Sequence, residues 1–333
     1  MTRGLLTSLG ALAVVIAAVS MVTVSVAGQA PTATAKATTA KTWTARTSWG
    51  EPDLQGTWNF ATTTPLERPS DFSGKEVLSE EEVEELDVKL RTRQDSAPPP
   101  GDTGTYNQFW WDRGKSIGRT SLIVDPADGK LPPLSAEGQK RAAVLAEARR
   151  GRGSADSYQD RPLDERCIVR LTGGPPMLPG GYNNNFQVLQ TAGYVFVLNE
   201  QVHNIRTIPL DGRPHFDQNI RQWTGDSRGH WDGTTLVVET TNFNEQRAFR
   251  GASANMRLIE RFTRLSADRM DYQFTVDDLA TWSTPWTAMI PARITREPIY
   301  EYACHEGNHS IVNVLSGARA IEKAAEVAKA GSR

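Results

Sequence analysis

Only two cysteines, Cys167 and Cys304, and five histidines occur in 333 residues. No Cys-x-x-Cys-His stands among them, which argues against covalently attached haem. A surplus of one charge is also missing: 37 basic residues stand against 39 acidic, a formal net charge of −2. So no basic excess points to nucleic acid, and no acidic block points to a solvating tail. The chain holds no Gly-x-Ser-x-Gly nucleophile elbow, no dinucleotide-binding fingerprint and no protein-kinase set. Beyond residue 26, no apolar run approaches a membrane-spanning length. What is left is 38% hydrophobic residues, enough for one large or two modest domains with real cores.

The one long apolar run is N-terminal. Arg3 precedes Leu5–Val26, and Ser25-Val26-Ala27 offers a small-x-small cleavage site before Gly28. The pattern predicts a signal peptide over residues 1–27. The alternative is an uncleaved anchor, since the run is long enough to span. Either way the rest of the chain is expected in the periplasm or secreted, touching membrane only through that segment. Residues 28–48 are mostly Thr, Ala and Lys and read as a flexible linker. In an exported chain, two cysteines suggest one disulfide; the alternative is two buried thiols.

Residues 53–330 read as a single domain. Gly56-Thr57-Trp58 resembles the opening of lipocalin-like barrels, where the Trp plugs one end. Leu78-Ser79-Glu80-Glu81-Glu82-Val83 is a helix start with capping box and staple. A second helix follows Ser135 and ends in the basic run at 149–153, cations that suit a helix C-terminus. Thr120–Val124 reads as a strand. From Phe186 onward the chain is almost all strand: Phe186–Gln190, Tyr194–Arg206, Thr234–Thr241, Met256–Arg264, Met270–Val276, Trp286–Ile294 and Ile299–Cys304. A last helix spans about 311–328, its apolar residues on one face, and is expected to pack on the sheet. The fold expected is mainly β: an antiparallel up-and-down, lipocalin-like β-barrel with two helical insertions and a C-terminal helix. An even meander of this kind abolishes sheet edges.

Chemistry has three candidate places. The stretch Gly225–Phe243 reads as a polar loop running through Asp232-Gly233 into a strand. Its Asp226, Arg228 and His230 form a charge-assisted cluster or, more blandly, an ion pair. His305-Glu306-Gly307-Asn308-His309 has the letters of the zinc-protease motif HExxH. Gly and Asn are poor helix interiors, the helix starts after the motif, and no third ligand follows, so no metal is expected. His305 as acid or base, with Glu306 beside a helix N-terminus, is the non-metal reading; capping of that helix is the bland one. Residues 173–185, dense in Gly and Pro, end in Asn183, Asn184 and Asn185, whose amides suit a binding lip or Asx turns. The segment is no phosphate loop, lacking Gly-Lys-Ser/Thr and a following helix. Glu239, Glu260 and His203 sit on strands, and alternation alone does not say which way they point. Trp110, Trp111, Trp282 and Trp286 are core or ligand-stacking aromatics.

The stretches Arg119–Pro126, Leu131–Leu134, Gly174–Asn185, Ile208–His215, Gly225–Phe243 and Tyr300–Asn308 resemble a family of exported bacterial proteins. The resemblance covers roughly residues 53–330. It implies export and names no reaction. His309 stands where that family leads one to expect an aromatic residue, which speaks further against a metal site.

Two functions are expected to compete. One is a cofactor-independent lyase, isomerase or hydrolase acting on a small molecule. There His305 or His230 is the acid or base, with Glu306 or Asp226 orienting it, and Arg228, Asn183–Asn185, Glu239 and His203 at the substrate. The other is a non-catalytic binder of a hydrophobic or aromatic ligand inside the barrel. A structural envelope module is a third, weaker reading. No cofactor is expected.

Overall fold

Period-two alternation runs through most of the chain from 185 to 295, and the strands follow it. The computed structural model describes residues 43–96, 109, 111–247 and 249–331; the expected signal peptide and most of the expected linker lie outside them. The strands are β1 (Gly56–Asn59), β2 (Ile123–Asp125), β3 (Asn185–Thr191), β4 (Tyr194–Asn199) and β5 (Ile205–Pro209), then β6 (Asp226–Asp232), β7 (Thr235–Thr241), β8 (Arg257–Arg264), β9 (Arg269–Asp277) and β10 (Trp286–Thr295). The helices are α1 (Glu80–Gln94), α2 (Ala136–Arg149) and α3 (His309–Gly331). Ser79 Oγ accepts from Glu82 N–H and the Glu82 carboxylate accepts from Ser79 N–H, so the capping box forms as read. Ser135 Oγ likewise caps α2, accepting from Gly138 N–H.

All ten strands form one sheet in the order β5-β4-β3-β1-β10-β9-β8-β7-β6, with β2 added against β10. Every ladder between them is antiparallel. Direction therefore alternates along a path of nine strands, and the two edges, β5 and β6, run the same way. An even meander would close antiparallel; this one would have to close parallel, the weaker pairing. Among the described residues no ladder joins β5 to β6. The sheet curls until they meet through side chains instead. Gly229 on β6 makes room for Ile208 and Leu210, whose methyls lie 2.8 and 2.7 Å from where a Cβ would stand.

The concave face is filled. Trp58, Phe186, Phe262, Tyr272, Phe274 and Trp286 are buried there, with ring centroids 5.0–6.5 Å apart along the chain of contacts from Phe186 to Trp286. Each such side chain contributes about 2–3 kcal/mol by leaving water. One end is sealed. Arg264, at the end of β8, lies over the rings of Trp43 and Trp58, 4.3 and 5.0 Å from their centroids. Its guanidinium also donates to the carbonyls of Asp53, Gln55 and Ala267. Trp43 thus ties part of the stretch read as linker to the folded domain.

Four expectations about the local structure are corrected. Tyr194–Arg206 is not one strand: it breaks at Gln201–His203, where Val202 and His203 take φ 61° and 38°. The front of the stretch at 225–232 is not a loop but strand β6, paired along its length with β7. Residues 299–304 form no strand. And α3 buries none of its residues; Ile321, on its apolar face, is 73% exposed. Arg319 reaches from it to the carbonyls of Ala155 and Asp156, too polar a contact to cover the apolar stripe. Among the described residues no helix is long and apolar enough to cross a membrane.

Candidate functional site

The unsealed end of the sheet is formed where β1 ends at Asn59, β3 begins at Asn185, β4 ends at Asn199 and β6 begins at Asp226. Over it lies a lip, residues 172–185, fixed from below. Met177 N–H donates to the buried Tyr272 hydroxyl at 2.9 Å, and Asn199 Nδ2 donates to Thr172 O at 3.1 Å. Asn184, fully buried, holds the turn of the lip: its Nδ2 donates to Asp112 O (2.6 Å) and Gly180 O (3.2 Å), and its Oδ1 accepts from Gly180 N–H (2.7 Å). Gly181 packs against Trp111 so closely that a Cβ there would fall within the indole.

Asn183 and Asn185 serve a buried acid rather than an open cleft. Asn185 N–H points to Glu200 Oε2 at 3.4 Å, and the side chains of both asparagines interact with the same carboxyl. Burial pushes the Glu200 carboxyl above its usual range; the bonds from Asn185 and Asn183 oppose this, and the charge of Asp112 adds to it. Asn183 takes φ 54°, a conformation asparagine tolerates better than most residues.

Cavities open on both flanks of the lip. One, of about 570 Å³, is lined by Thr62, Thr63, Leu90, Arg93, Trp111, Arg113 and Pro179–Gly181. The other, of about 420 Å³, is lined by Leu163, Asp164, Val169–Thr172, Pro179, Gly180, Phe249 and Arg250. A third, of about 340 Å³, lies between Tyr182 and the segment carrying Tyr302 and Cys304. The disulfide Cys167–Cys304, closing a separation of 137 residues, fastens that segment, helped by Asn308 Nδ2 donating to Glu165 O at 2.8 Å. Arg170 joins the last two cavities. It lies 3.6 Å from Asp164 and over the Tyr182 ring, 5.1 Å from its centroid. Burial, then the neighbouring Tyr182, holds the Tyr302 hydroxyl above its usual range.

The residues read from the sequence as catalytic do not converge. Asp226 begins β6 at the same end as Asn185, but its carboxylate is buried and engaged. It accepts from Arg228 Nη1 at 2.5 Å and from Phe216 N–H at 2.9 Å, and lies 3.0 Å from His215 Nδ1. His230 stands further along β6, exposed, with no side-chain hydrogen bond among the described residues. His305 and Glu306 are exposed in the turn after Cys304. His203 is exposed too, its Nδ1 3.1 Å from Tyr302 O. Glu239 points outward from β7 to Arg257 and, at 3.4 Å, to His215 Nε2. Burial pushes its carboxyl up, but Arg257 outweighs that and sets it below the usual range. Glu260, which pairs with Val238 and so stands one position out of step with Glu239, points inward. Among the described residues no three His, Cys, Asp or Glu side chains gather as a metal site.

His215 went unread as a site residue. It lies between two carboxylates, each of which already has an arginine. The arrangement is a charge network on the convex face, with both ring nitrogens taken. The signal that it mattered was its place at the end of Ile208–His215, a stretch with no periodic pattern.

No protein-family model matches the chain, and a search of curated proteins gives no match either. Among solved structures, the chain is similar to the crystal structure of a secretary abundant heat soluble (SAHS) protein from Ramazzottius varieornatus. The identity is 12% over 33% of this chain and 70% of that one, with a TM-score of 0.23, a likeness too low to carry an argument about fold or function.

Proposed function

We propose that this is an exported, non-catalytic binding protein for a small hydrophobic or aromatic ligand, taken up beside the lip at the open end of a barrel-like sheet. The observation that carries the reading is the 420 Å³ cavity. Leu163, Val169, Leu171, Pro179 and Phe249 supply an apolar wall, and Asp164, Arg170, Thr172 and Arg250 supply a few polar groups, the usual make-up and size of a ligand pocket. The sheet interior is a poorer chamber, because aromatic side chains fill it. A disulfide accords with the oxidising periplasm or extracellular space. The lyase, isomerase or hydrolase reading has less support, since an acid–base pair needs its members within hydrogen-bond reach and neither His230 nor His305 has a carboxylate partner among the described residues, while His215 is committed to Asp226 and Glu239.

The test is thermal-shift screening of the purified protein against apolar and aromatic compounds, with calorimetry on any that stabilise it. Leu163→Asn and Leu171→Asn should weaken binding at least roughly tenfold, about 1.4 kcal/mol, without lowering the melting temperature. No stabilising compound, or equal affinity in both variants, would sink the proposal. A ligand consumed on incubation, with consumption lost in His305→Ala, would put the enzymatic reading in its place.

A further inference from the structure

The cavity on the other flank of the lip has a different chemistry. Two arginines and no acid line it. Arg113 lies over Trp111, its guanidinium carbon 4.0 Å from the ring centroid. Trp111 is itself pinned against Gly181. Stacking fixes a guanidinium by its face and leaves its N–H edges for a planar acceptor. Arg93, in the last turn of α1, lines the same space. Several other arginines are neutralised, Arg152, Arg161, Arg213, Arg257, Arg261 and Arg319 each meeting a carboxylate. Among the described residues Arg93 and Arg113 meet none.

The neighbouring polar groups are already engaged. Thr62 Oγ1 donates to Lys115 O at 2.8 Å. Thr63 Oγ1 donates to Asp87 Oδ1 at 3.1 Å. Asp87 is buried and also accepts from Ser116 N–H at 3.2 Å. Asp112 accepts from Asn59 Nδ2 at 3.2 Å. The uncommitted side-chain donors of the cavity are therefore the two guanidiniums.

We propose that the 570 Å³ cavity is an oxyanion site, in which Arg113 and Arg93 clamp the carboxylate or phosphate group of a small molecule. Arg113 is the fork, oriented in advance by Trp111; Arg93 is the second charge. The site stands apart from the apolar cavity and does not depend on it being occupied.

Calorimetric titration of the purified protein with benzoate, inorganic phosphate and neutral benzamide tests this. Benzoate or phosphate should bind, and benzamide should not. Arg113→Ala and Arg93→Ala should each weaken the anion roughly tenfold or more, since hydrogen bonds to charged groups are the strong ones. Arg113→Lys keeps the charge but loses the fork, and should fall in between. Tighter benzoate would mark a carboxylate ligand; tighter phosphate, a phosphorylated one. Arg250→Ala, in the neighbouring cavity, should leave the anion unaffected. The proposal is overturned if neither anion binds below about 10 mM, a very weak interaction. It is equally overturned if Arg93→Ala/Arg113→Ala binds as well as the wild type. Binding of an apolar ligand by that double variant separates this site from the one proposed above.

Discussion

Arg206 on β5 and Glu260 on β8 form a two-pronged ion pair across the inside of the curled sheet, with N–O distances of 2.6 and 2.9 Å. Both side chains are almost wholly withdrawn from water. The Tyr272 hydroxyl donates to the same carboxylate at 2.8 Å; burial, then the Glu260 charge, pushes that hydroxyl far above its usual range. Burial disfavours the Arg206 cation, but the Glu260 charge more than restores it. Taking two such charges out of water costs several kcal/mol each, which a pair of good geometry offsets. Removing one partner strands the other. Glu260→Ala should therefore cost about 3–5 kcal/mol. Arg206→Met/Glu260→Leu should cost much less, because no charge is left unpaired. Urea unfolding of the three proteins decides it; equal losses in the single and double variants would be inconsistent with this account.

The disulfide closes a long loop, and the chain-entropy model assigns such a loop about 5 kcal/mol. Cys167→Ser/Cys304→Ser should lose about 2–5 kcal/mol and become sensitive to protease between 296 and 308, the segment the bond fastens. An unchanged melting temperature with an unchanged digest would show that the bond is incidental.

Glu200 gives a pH dependence with a definite sign. Burial raises its pKa in the folded state, so the folded protein holds that proton more tightly than the unfolded chain does. Its contribution to stability is fully present below the unfolded value, about 4.3, and is lost as pH rises through the raised folded value. Glu200→Gln lacks this loss. The variant should melt higher than the wild type at pH 7, and the gap should shrink toward pH 4. The opposing slopes of Asp160 and Asp211, whose pKa values Arg152 and Arg213 lower, are common to both proteins and cancel. A gap that widens toward acid would contradict the assignment.

Gly181 is the point at which the lip packs against the Trp111 indole. Gly181→Ala should push Trp111 away, with Arg113 following it. The expected result is a shift in tryptophan emission, a loss of about 1–3 kcal/mol from overpacking and loss of anion binding. Retention of all three properties would show that Trp111 can move aside freely.

The sequence made local rules legible. Ser79 and Glu82, Ser135 and the Asp232-Gly233 turn each carry their outcome in a few neighbouring letters, and the disulfide was legible from there being just two cysteines in a chain expected to be exported. Phase was not legible: β7 buries Leu236, Val238 and Thr240, while β8 buries Leu258, Glu260 and Phe262. Glu239 and Glu260 thus part company by one position in each strand, a choice made by the register between strands. The break at Val202–His203 was hidden because left-handed backbone in non-glycine residues has no strong letter code. The candidate site was partly legible. The Gly- and Pro-rich lip could be read as a binding edge, but its asparagines turn out to brace it. The apolar wall from Leu163 to Leu171, and the meeting of Arg93 with Arg113, which have no carboxylate partner among the described residues, depend on contacts between distant segments.

The same-direction edges of the sheet have a mechanical consequence. Parting β5 from β6 breaks no row of backbone bonds, whereas parting any neighbouring pair along the path does. The wall is held at that seam by side chains alone: Ile208 and Leu210 packed on Gly229, and the interior ion pair from β5 to β8. Removing either charge would therefore act on the seam as well as on the core, because Arg206 sits on the edge strand that has no backbone partner in β6.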